Sequence, residues 1–359
     1  MIIFRTDASP QIGFGHLTRC RALAQALIRQ GQRCVMVGPD TAHAKLGDQD
    51  ISEDWIPVSS WTTSNDDAVR VINLAHQCQA QWLVLDDYRI DEAYQLNLHA
   101  AGLRWLQFDG GANKSLWADI VLNANPAARA EDYAAVLSNQ NTLLLLGPRY
   151  AILRPEFERI KPREPGRPVK QILVTFGGGD DRGGNEFVLS TLLPATALDL
   201  RFLVISGASN PNNSNLRHWV AAHGQGRVCL HIDPEQVAPL FASCDLAVMA
   251  GGASIYEAAC CGLPMLVITI ADNQIPQSKA WVNLGVAKWL GTHPGVDKDA
   301  LIDGYNFLNN NRQNFVAMSI EGSRWVDAGG ADKTAKHMLD MIQKVQVHPP
   351  KILDHYVAH

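Results

Sequence analysis

Short runs rich in Val, Ile and Leu alternate along nearly the whole chain with longer stretches of helical periodicity, and this alternation restricts the fold more than any other feature. In the first half the runs are Ile2–Arg5, Cys34–Val37, Trp82–Asp86, Arg104–Phe108, Ile120–Leu122 and Thr142–Leu146. In the second half they are Gln171–Phe176, Arg201–Ser206, Val228–Ile232, Leu246–Ala250, Met265–Thr269 and Ala287–Leu290. Strands separated by helices must run parallel, so the fold class is α/β: parallel sheets with helices on their faces.

Between the two sets lies a stretch with Pro148, Pro155, Pro162, Pro165 and Pro168 mixed with charged residues. Proline at that density breaks regular elements and stiffens a connection. The reading is therefore two Rossmann-like domains facing a central cleft: 1–147, a linker over 148–168, and 169–359. A chain of 359 residues agrees with a prior of about 150 residues per domain. The last helix, near Ala331–Val345, is expected to pack back on the first domain.

A net charge of −5 and the absence of a Lys/Arg cluster interleaved with aromatics exclude nucleic acid as the expected partner. The longest apolar stretch, Leu246–Ile270, is broken by Gly251-Gly252, Glu257 and Gly262-Leu263-Pro264, a strand–turn–helix–strand pattern and not a membrane span. The seven cysteines are scattered, form no C-x-x-C pair and lie mostly in apolar runs. The N-terminus enters a strand with no signal-peptide pattern. A reduced, cytoplasmic, monomeric protein is expected.

In an open α/β sheet, ligands sit beyond the carboxyl ends of the strands. The stretch Asp7–Arg19, D-A-S-P-Q-I-G-F-G-H-L-T-R, follows the first strand and opens a helix. Gly13 and Gly15, lacking Cβ, allow positive φ and close approach of a ligand. Phe14 and Arg19 belong to the same substrate-facing turn, and His16 at the helix start is a candidate catalyst. A tight βα connection explains a G-x-G equally well, and the dinucleotide fingerprint fails, because Thr18 stands where its third glycine belongs and Asp40 lies beyond the second strand. No cofactor is expected. Asp7 is placed to orient the imidazole or share a water, with an Asx-turn before Pro10 as the plain alternative. The third strand ends in Asp86-Asp87-Tyr88. Asp87 is a substrate-binding candidate, and Tyr88 a hydrogen-bonding group or a wall of the cleft.

The second half has two glycine turns, Gly177-Gly178-Gly179-Asp180-Asp181 and Gly251-Gly252-Ala253-Ser254, each after a strand. Small residues there let backbone amides approach a phosphate, and the helix dipole favours negative charge by up to ~1 kcal/mol. Ser254 is placed to cap its helix and donate a hydroxyl. Glu257, three residues on, has capping-box spacing, or serves as a carboxylate for two ribose hydroxyls. Asn273, Gln274 and Gln277 carry amides that donate and accept together, as sugar hydroxyls and diphosphate require, and also suit an ordinary polar loop.

The segments I-G-F-G-H-L-T-R-C at 12–20, D-D-Y at 86–88, L-G-P-R-Y-A-I-L-R at 146–154, F-G-G-G-D at 176–180 and A-G-G-A-S-I-Y-E at 250–257 together resemble the nucleotide-sugar hydrolases of pseudaminic acid biosynthesis. The resemblance covers nearly the whole chain in order. Its glycine motifs are shared with the wider GT-B glycosyltransferases, and L-G-P-R-Y-A-I-L-R-P-E-F is its most specific part. It implies a GT-B fold, UDP held mainly by the second domain, and a UDP-linked 2,4-diacetamido-2,4,6-trideoxy sugar presented to the first. It further implies His16 as base, Gly252, Ala253 and Ser254 on the diphosphate, Glu257 on the ribose, Asn273 and Gln274 on diphosphate or sugar, and the loop His231–Pro234, at the end of the strand Val228–Ile232, on uracil. In this family water displaces UDP with inversion.

The chemistry agrees with the residue types. UDP leaves readily, so the demand falls on delivering one activated water, and a general base contributes roughly 10²–10⁴-fold. A helix N-terminus disfavours imidazolium, which would keep His16 able to accept a proton. The histidines and cysteines show no ligand spacing, so no metal is expected. The alternatives are an inverting glycosyltransferase with an acceptor hydroxyl in place of water, and a non-catalytic UDP-sugar sensor.

Overall fold

A parallel strand needs hydrogen-bonded neighbours and apolar cover on both faces. Five consecutive buried residues in each of Ile2–Thr6 and Trp82–Asp86 meet that need. The computed structural model describes residues 1–8, 14–38, 54–58 and 63–347, with backbone alone over 344–347. Gly13, Pro10 and Asp40 lie outside the described residues.

The first sheet comprises β1 (Ile2–Thr6), β2 (Cys34–Gly38), β3 (Asp54–Pro57), β4 (Trp82–Asp86), β5 (Trp105–Phe108), β6 (Ile120–Asn123) and β7 (Leu143–Leu146). Their order is β3-β2-β1-β4-β5-β6-β7, with every pairing parallel. Its helices are α1 (Gly15–Arg29), α2 (Ser64–Gln77), α3 (Glu92–Ala100) and α4 (Ala130–Tyr133). β3, whose sequence is Asp-Trp-Ile-Pro, is the strand absent from the sequence reading, since four residues flanked by charge and proline carry no apolar run.

The second sheet comprises β8 (Gln171–Thr175), β9 (Arg201–Ser206), β10 (Val228–Ile232), β11 (Leu246–Met249), β12 (Met265–Thr269) and β13 (Ala287–Thr292), ordered β10-β9-β8-β11-β12-β13 and again parallel. Around it lie α5 (Gly184–Ala195), α6 (Asn213–His223), α7 (Ala238–Ser243), α8 (Ser254–Cys260), α9 (Gln274–Asn283), α10 (Lys298–Asn310) and α11 (Arg312–Trp325). A register shift between Val267 and Ile268 lets β13 continue past Leu290 to Thr292.

The last helix, α12 (Gly330–Val347), crosses to the first sheet. Ala331, Ala335 and Met338, spaced four and three residues apart on one helix face, are buried with Leu17, Leu23 and Leu27 of α1. At its start a Cβ on Gly330 would overlap the carbonyl oxygen of Ala151, so only glycine lets this helix lie against the Pro148–Tyr150 turn. Arg29 at the end of α1 holds both crossings, pairing with Glu158 at 2.8 Å and Asp332 at 2.9 Å.

The proline-rich segment is docked on the second domain. Leu153 and Phe157 are buried with Phe241, Ile255 and Tyr256. Arg163, itself buried, meets Asp245 at 3.3 Å and Arg167 meets the same carboxylate at 2.6 Å. Among the described residues no helix is long and apolar enough to cross a membrane.

Candidate active site

Each sheet has one point where the strand order reverses, between β1 and β4 in the first and between β8 and β11 in the second. Helices leave the sheet in opposite directions there, opening a crevice at the carboxyl ends. Asp7 and Ala8 after β1, the start of α1, and Asp86 to Tyr88 at the end of β4 stand at the first crevice; Gly177–Gly179 and Gly251–Ser254 stand at the second. The turns singled out in the sequence thus occupy both switch points.

At the first crevice His16 is the second residue of α1 and is 6% exposed. Its Nδ1 lies 2.6 Å from Asp86 Oδ1. Arg19, one turn further along α1, forks onto the same carboxylate through Nε and Nη2 and lies over the Phe108 ring at 4.6 Å. Burial pushes the Asp86 carboxyl up, but the charge and hydrogen bonds of Arg19, joined by those of His16, outweigh it and hold it below the usual carboxylate range. An ionised Asp86 can only accept, so in a neutral imidazole bonded to it Nδ1 carries the proton and Nε2 is the acceptor; Arg19 Nη2 lies 3.1 Å from the same Nδ1. The exposed Tyr88 ring, 77% accessible, stands edge-on to the imidazole with centroids 4.6 Å apart.

The carboxylate bonded to the imidazole is Asp86, and Asp7, expected from the sequence to orient it, is bonded elsewhere. Asp7 accepts from Arg89 Nη2 and, at 2.7 Å, from the Ala8 N–H, the latter a local turn contact. Asp87 is likewise engaged: Oδ1 accepts Arg89 N and Nε at 2.8 and 2.9 Å, and Oδ2 accepts Arg89 Nη2 at 2.6 Å. Arg89 thus bridges Asp7 and Asp87, two carboxylates that would otherwise repel at one sheet edge. Gly15 is the first residue of α1 and needs no positive φ; a Cβ there would meet nothing within 4 Å among the described residues. Phe14 is the residue before the helix, and its carbonyl accepts from Thr18 N at 3.0 Å.

At the second crevice Gly177 has φ +95°, which only glycine adopts without strain, and Gly178 packs so closely on Gly207 that a Cβ on the latter would overlap it. Cβ atoms on Gly178 or Gly252 would meet nothing within 4 Å. Gly251 is instead pressed against Ser278, Gln274 and Thr269. Ser254 does not cap α8: Ala253 occupies the cap position without a side-chain bond, and Ser254 is the first helical residue. The capping-box reading of Glu257 lapses with it. Glu257 is 8% exposed, and Arg154 Nε lies 3.4 Å from its Oε1.

Gln274 and Gln277 brace the site's backbone. Gln274 Oε1 accepts the Ile270 N–H at 3.0 Å, and Gln277 Nε2 donates to the carbonyls of Gly251 and Gly252 at 3.2 and 3.3 Å. Asn273 precedes α9 without a capping bond and is exposed. Ile232 ends β10, and the following Asp233, at φ +48°, donates its N–H to Ser206 O at 2.9 Å. Tyr256 of α8 stands beside this turn, its hydroxyl 3.5 Å from Gln277 Oε1 and its ring edge-on to Trp281 at 5.2 Å.

Asp86, Arg89, Phe108, Arg154 and Tyr256 were not among the residues selected from sequence. Asp86 had a signal, the strand-end D-D-Y; Arg154 lies in the L-R-P-E segment and Tyr256 in A-G-G-A-S-I-Y-E; Arg89 and Phe108 are ordinary residues until the chain is folded. Among the described residues no group of three His, Cys, Asp or Glu is arranged to hold a metal ion.

Two parallel-sheet domains with facing switch points define a GT-B protein. The structure superposes on Acinetobacter baumannii MurG with a TM-score of 0.64 at 17% identity, over 96% of this chain and 99% of that one. The resemblance carried by the motifs holds across most of the sequence: the chain is similar to the UDP-2,4-diacetamido-2,4,6-trideoxy-beta-L-altropyranose hydrolase of Campylobacter jejuni, 27% identical over 275 residues that cover 76% of this chain and 93% of that protein. It is also similar to an uncharacterized protein of Methanocaldococcus jannaschii, 24% identical over 269 residues; the match takes in 73% of this chain and spans about half, 54%, of that protein. No family model matches the sequence.

Proposed function

We propose that this protein is a hydrolase of a UDP-linked 2,4-diacetamido-2,4,6-trideoxy sugar that works with inversion and without a metal, in the biosynthesis of pseudaminic acid. The observation that carries the reading is the His16–Asp86 pair at the switch point of the first sheet, with open glycine turns at the switch point of the second. The curated C. jejuni relative, named for that hydrolysis, supplies the sugar.

In this reading UDP lies along Gly177–Gly178 and Gly252–Ser254, with Glu257 on the ribose and the loop after Ile232 on uracil. The sugar faces His16 and Tyr88. A water attacks the anomeric carbon while His16 Nε2 takes its proton; the bond from that carbon to the UDP oxygen breaks, and UDP leaves with the electron pair. Asp86 holds the imidazole in the tautomer that accepts at Nε2 and stabilises the imidazolium that forms. Backbone dipoles around the diphosphate take up the charge on the leaving group.

A second reading, an inverting GT-B transferase, has the MurG likeness in its favour, since the same cleft serves a hydroxyl as well as water. One experiment separates them. The UDP-sugar is incubated in ¹⁸O-labelled water with no other acceptor. The hydrolase releases UDP stoichiometrically and places the label on the anomeric carbon of the sugar and none on UDP. Absence of acceptor-free turnover, with transfer to an added hydroxyl, establishes the transferase.

A further inference from the structure

The second crevice contains a charge that the reaction above does not use. Arg154, in the segment joining the two domains, has its Nε 3.4 Å from Glu257 Oε1. On the other side its Nη1 is 3.9 Å from Glu156 Oε1, and that oxygen accepts the Val237 N–H at 3.1 Å at the start of α7. The neighbouring Leu153 and Phe157 are buried in the second domain's core. Arg154 therefore stands on anchored backbone, and its place beside Glu257 is set by packing.

A carboxylate that accepts two hydroxyls of a ribose must be ionised, and burial opposes ionisation. Burial pushes the Glu257 carboxyl up, Arg154 pulls it down, Glu156 pushes it up again, and the Ser254 hydroxyl pulls it down; burial prevails. The other titratable neighbours are on α8 itself and just after it: Cys260, its thiol pushed up by burial to about 12, and Cys261, pushed higher still, so both are neutral at physiological pH. Arg154 is thus the cation that favours the charged form.

We propose that Arg154 is a positioning residue for the nucleotide, pairing with one carboxylate oxygen of Glu257 so that the other meets the ribose diol; the interdomain segment then completes the ribose subsite. The inference rests on the reading of Glu257 as the ribose ligand. It assigns Arg154 no contact with the phosphates.

The test is calorimetric titration of the whole protein with UDP and with uridine, from acid to neutral pH, for the wild type, Glu257→Gln, Arg154→Ala, Arg154→Lys and the double variant. Glu257→Gln is expected to weaken both ligands by about 10-fold or more, and Arg154→Ala to weaken both by a similar factor. Removing the cation raises the Glu257 carboxyl further, so the loss of affinity on acidification begins at higher pH in Arg154→Ala. Arg154→Lys restores part of that shift while keeping a charge for folding. The double variant binds no more weakly than Glu257→Gln, because both changes remove one interaction. Weakened UDP with unchanged uridine overturns the proposal, as it makes Arg154 a phosphate ligand. So does a double variant with additive losses, or an Arg154→Ala protein with unaltered affinity and pH dependence. If Glu257→Gln itself binds both ligands normally, the ribose reading fails, and the proposal with it.

Discussion

His16 and Asp86 are separated by 70 residues in sequence and by 2.6 Å in space, imidazole Nδ1 to carboxylate Oδ1, because β1 and β4 pair in parallel with Thr6 beside Asp86. This relationship separates the two jobs a histidine base requires. In the proposed reaction Asp86 fixes the ring, and Nε2 is left for the water. His16→Ala is expected to lower kcat by ~10² or more while leaving the UDP dissociation constant within about threefold. Equal turnover by the variant removes His16 from the reaction.

Asp86→Asn keeps the shape and removes the charge. The amide no longer holds Nδ1 as a donor and leaves Arg19 without its counterion. We expect kcat to drop by about 10² or more, together with a destabilisation of roughly 1–3 kcal/mol from the lost charged hydrogen bonds, since the Arg19 side chain is partly exposed and water can solvate it. Steady-state kinetics beside chemical denaturation distinguishes this from a purely structural role, which would lower stability and leave the kcat of the folded fraction intact.

The same pair links stability to pH. The folded-state carboxyl of Asp86 is lowered despite burial, by Arg19 first and His16 second. A depressed carboxylate contributes stability that is fully present above its unfolded value and is lost as pH falls through the folded value. The wild type should hold its melting temperature down to the lower end of the carboxylate range. Arg19→Ala, in which burial is no longer offset, should begin to lose it at higher pH. Superimposable melting-temperature profiles would show that Arg19 contributes nothing to the charge on Asp86.

Glycines at the second crevice should divide by the space around them. A Cβ on Gly252 meets nothing within 4 Å, so Gly252→Ala should keep its stability within about 0.5 kcal/mol and weaken UDP binding if the diphosphate lies against that turn. Gly207→Ala forces a side chain into Gly178 and should cost about 1–3 kcal/mol. Thermal melts and UDP titrations on both variants read the two effects separately. Full UDP affinity in Gly252→Ala would move the diphosphate elsewhere.

The contact of α12 with the first domain is a burial effect and should behave as one. Met338 is fully buried against α1 and the first sheet, and Met338→Ala should cost ~2–5 kcal/mol by cavity formation. The measurement is a denaturant titration, with tryptophan fluorescence as the probe.

Much of this organisation is legible in the chain itself. Trp82–Asp86, Arg201–Ser206 and Met265–Thr269 are read residue for residue as the strands they form, since a doubly covered strand is an apolar run with sharp ends, and so is Val228–Ile232, although it is a half-buried edge strand. β3 is not legible, since Asp54–Pro57 has no such run and is placed by pairing with β2. Gly177 is legible as a turn glycine, and its φ of +95° is the reason. The roles of Gln274 and Gln277 are not, because an amide near a glycine turn looks the same whether it faces a ligand or a backbone carbonyl, and here both are bonded to backbone.

Sequence alone determined the strand–helix alternation, the positions of the glycine turns at strand ends, and His16 as the residue entering a helix beside one of them. These are local properties, set by side-chain size, backbone freedom and periodicity within a few residues. Which carboxylate meets His16, which arginine neutralises it, and which cation faces Glu257 were decided only by the tertiary structure. Asp7 is nine residues from His16 and pairs with Arg89, whereas Asp86 is brought in by sheet register, and Arg154 reaches Glu257 because the interdomain segment is packed into the second core. Electrostatic partners are chosen by distance in space after the strands have paired, and strand order is a property of the whole chain.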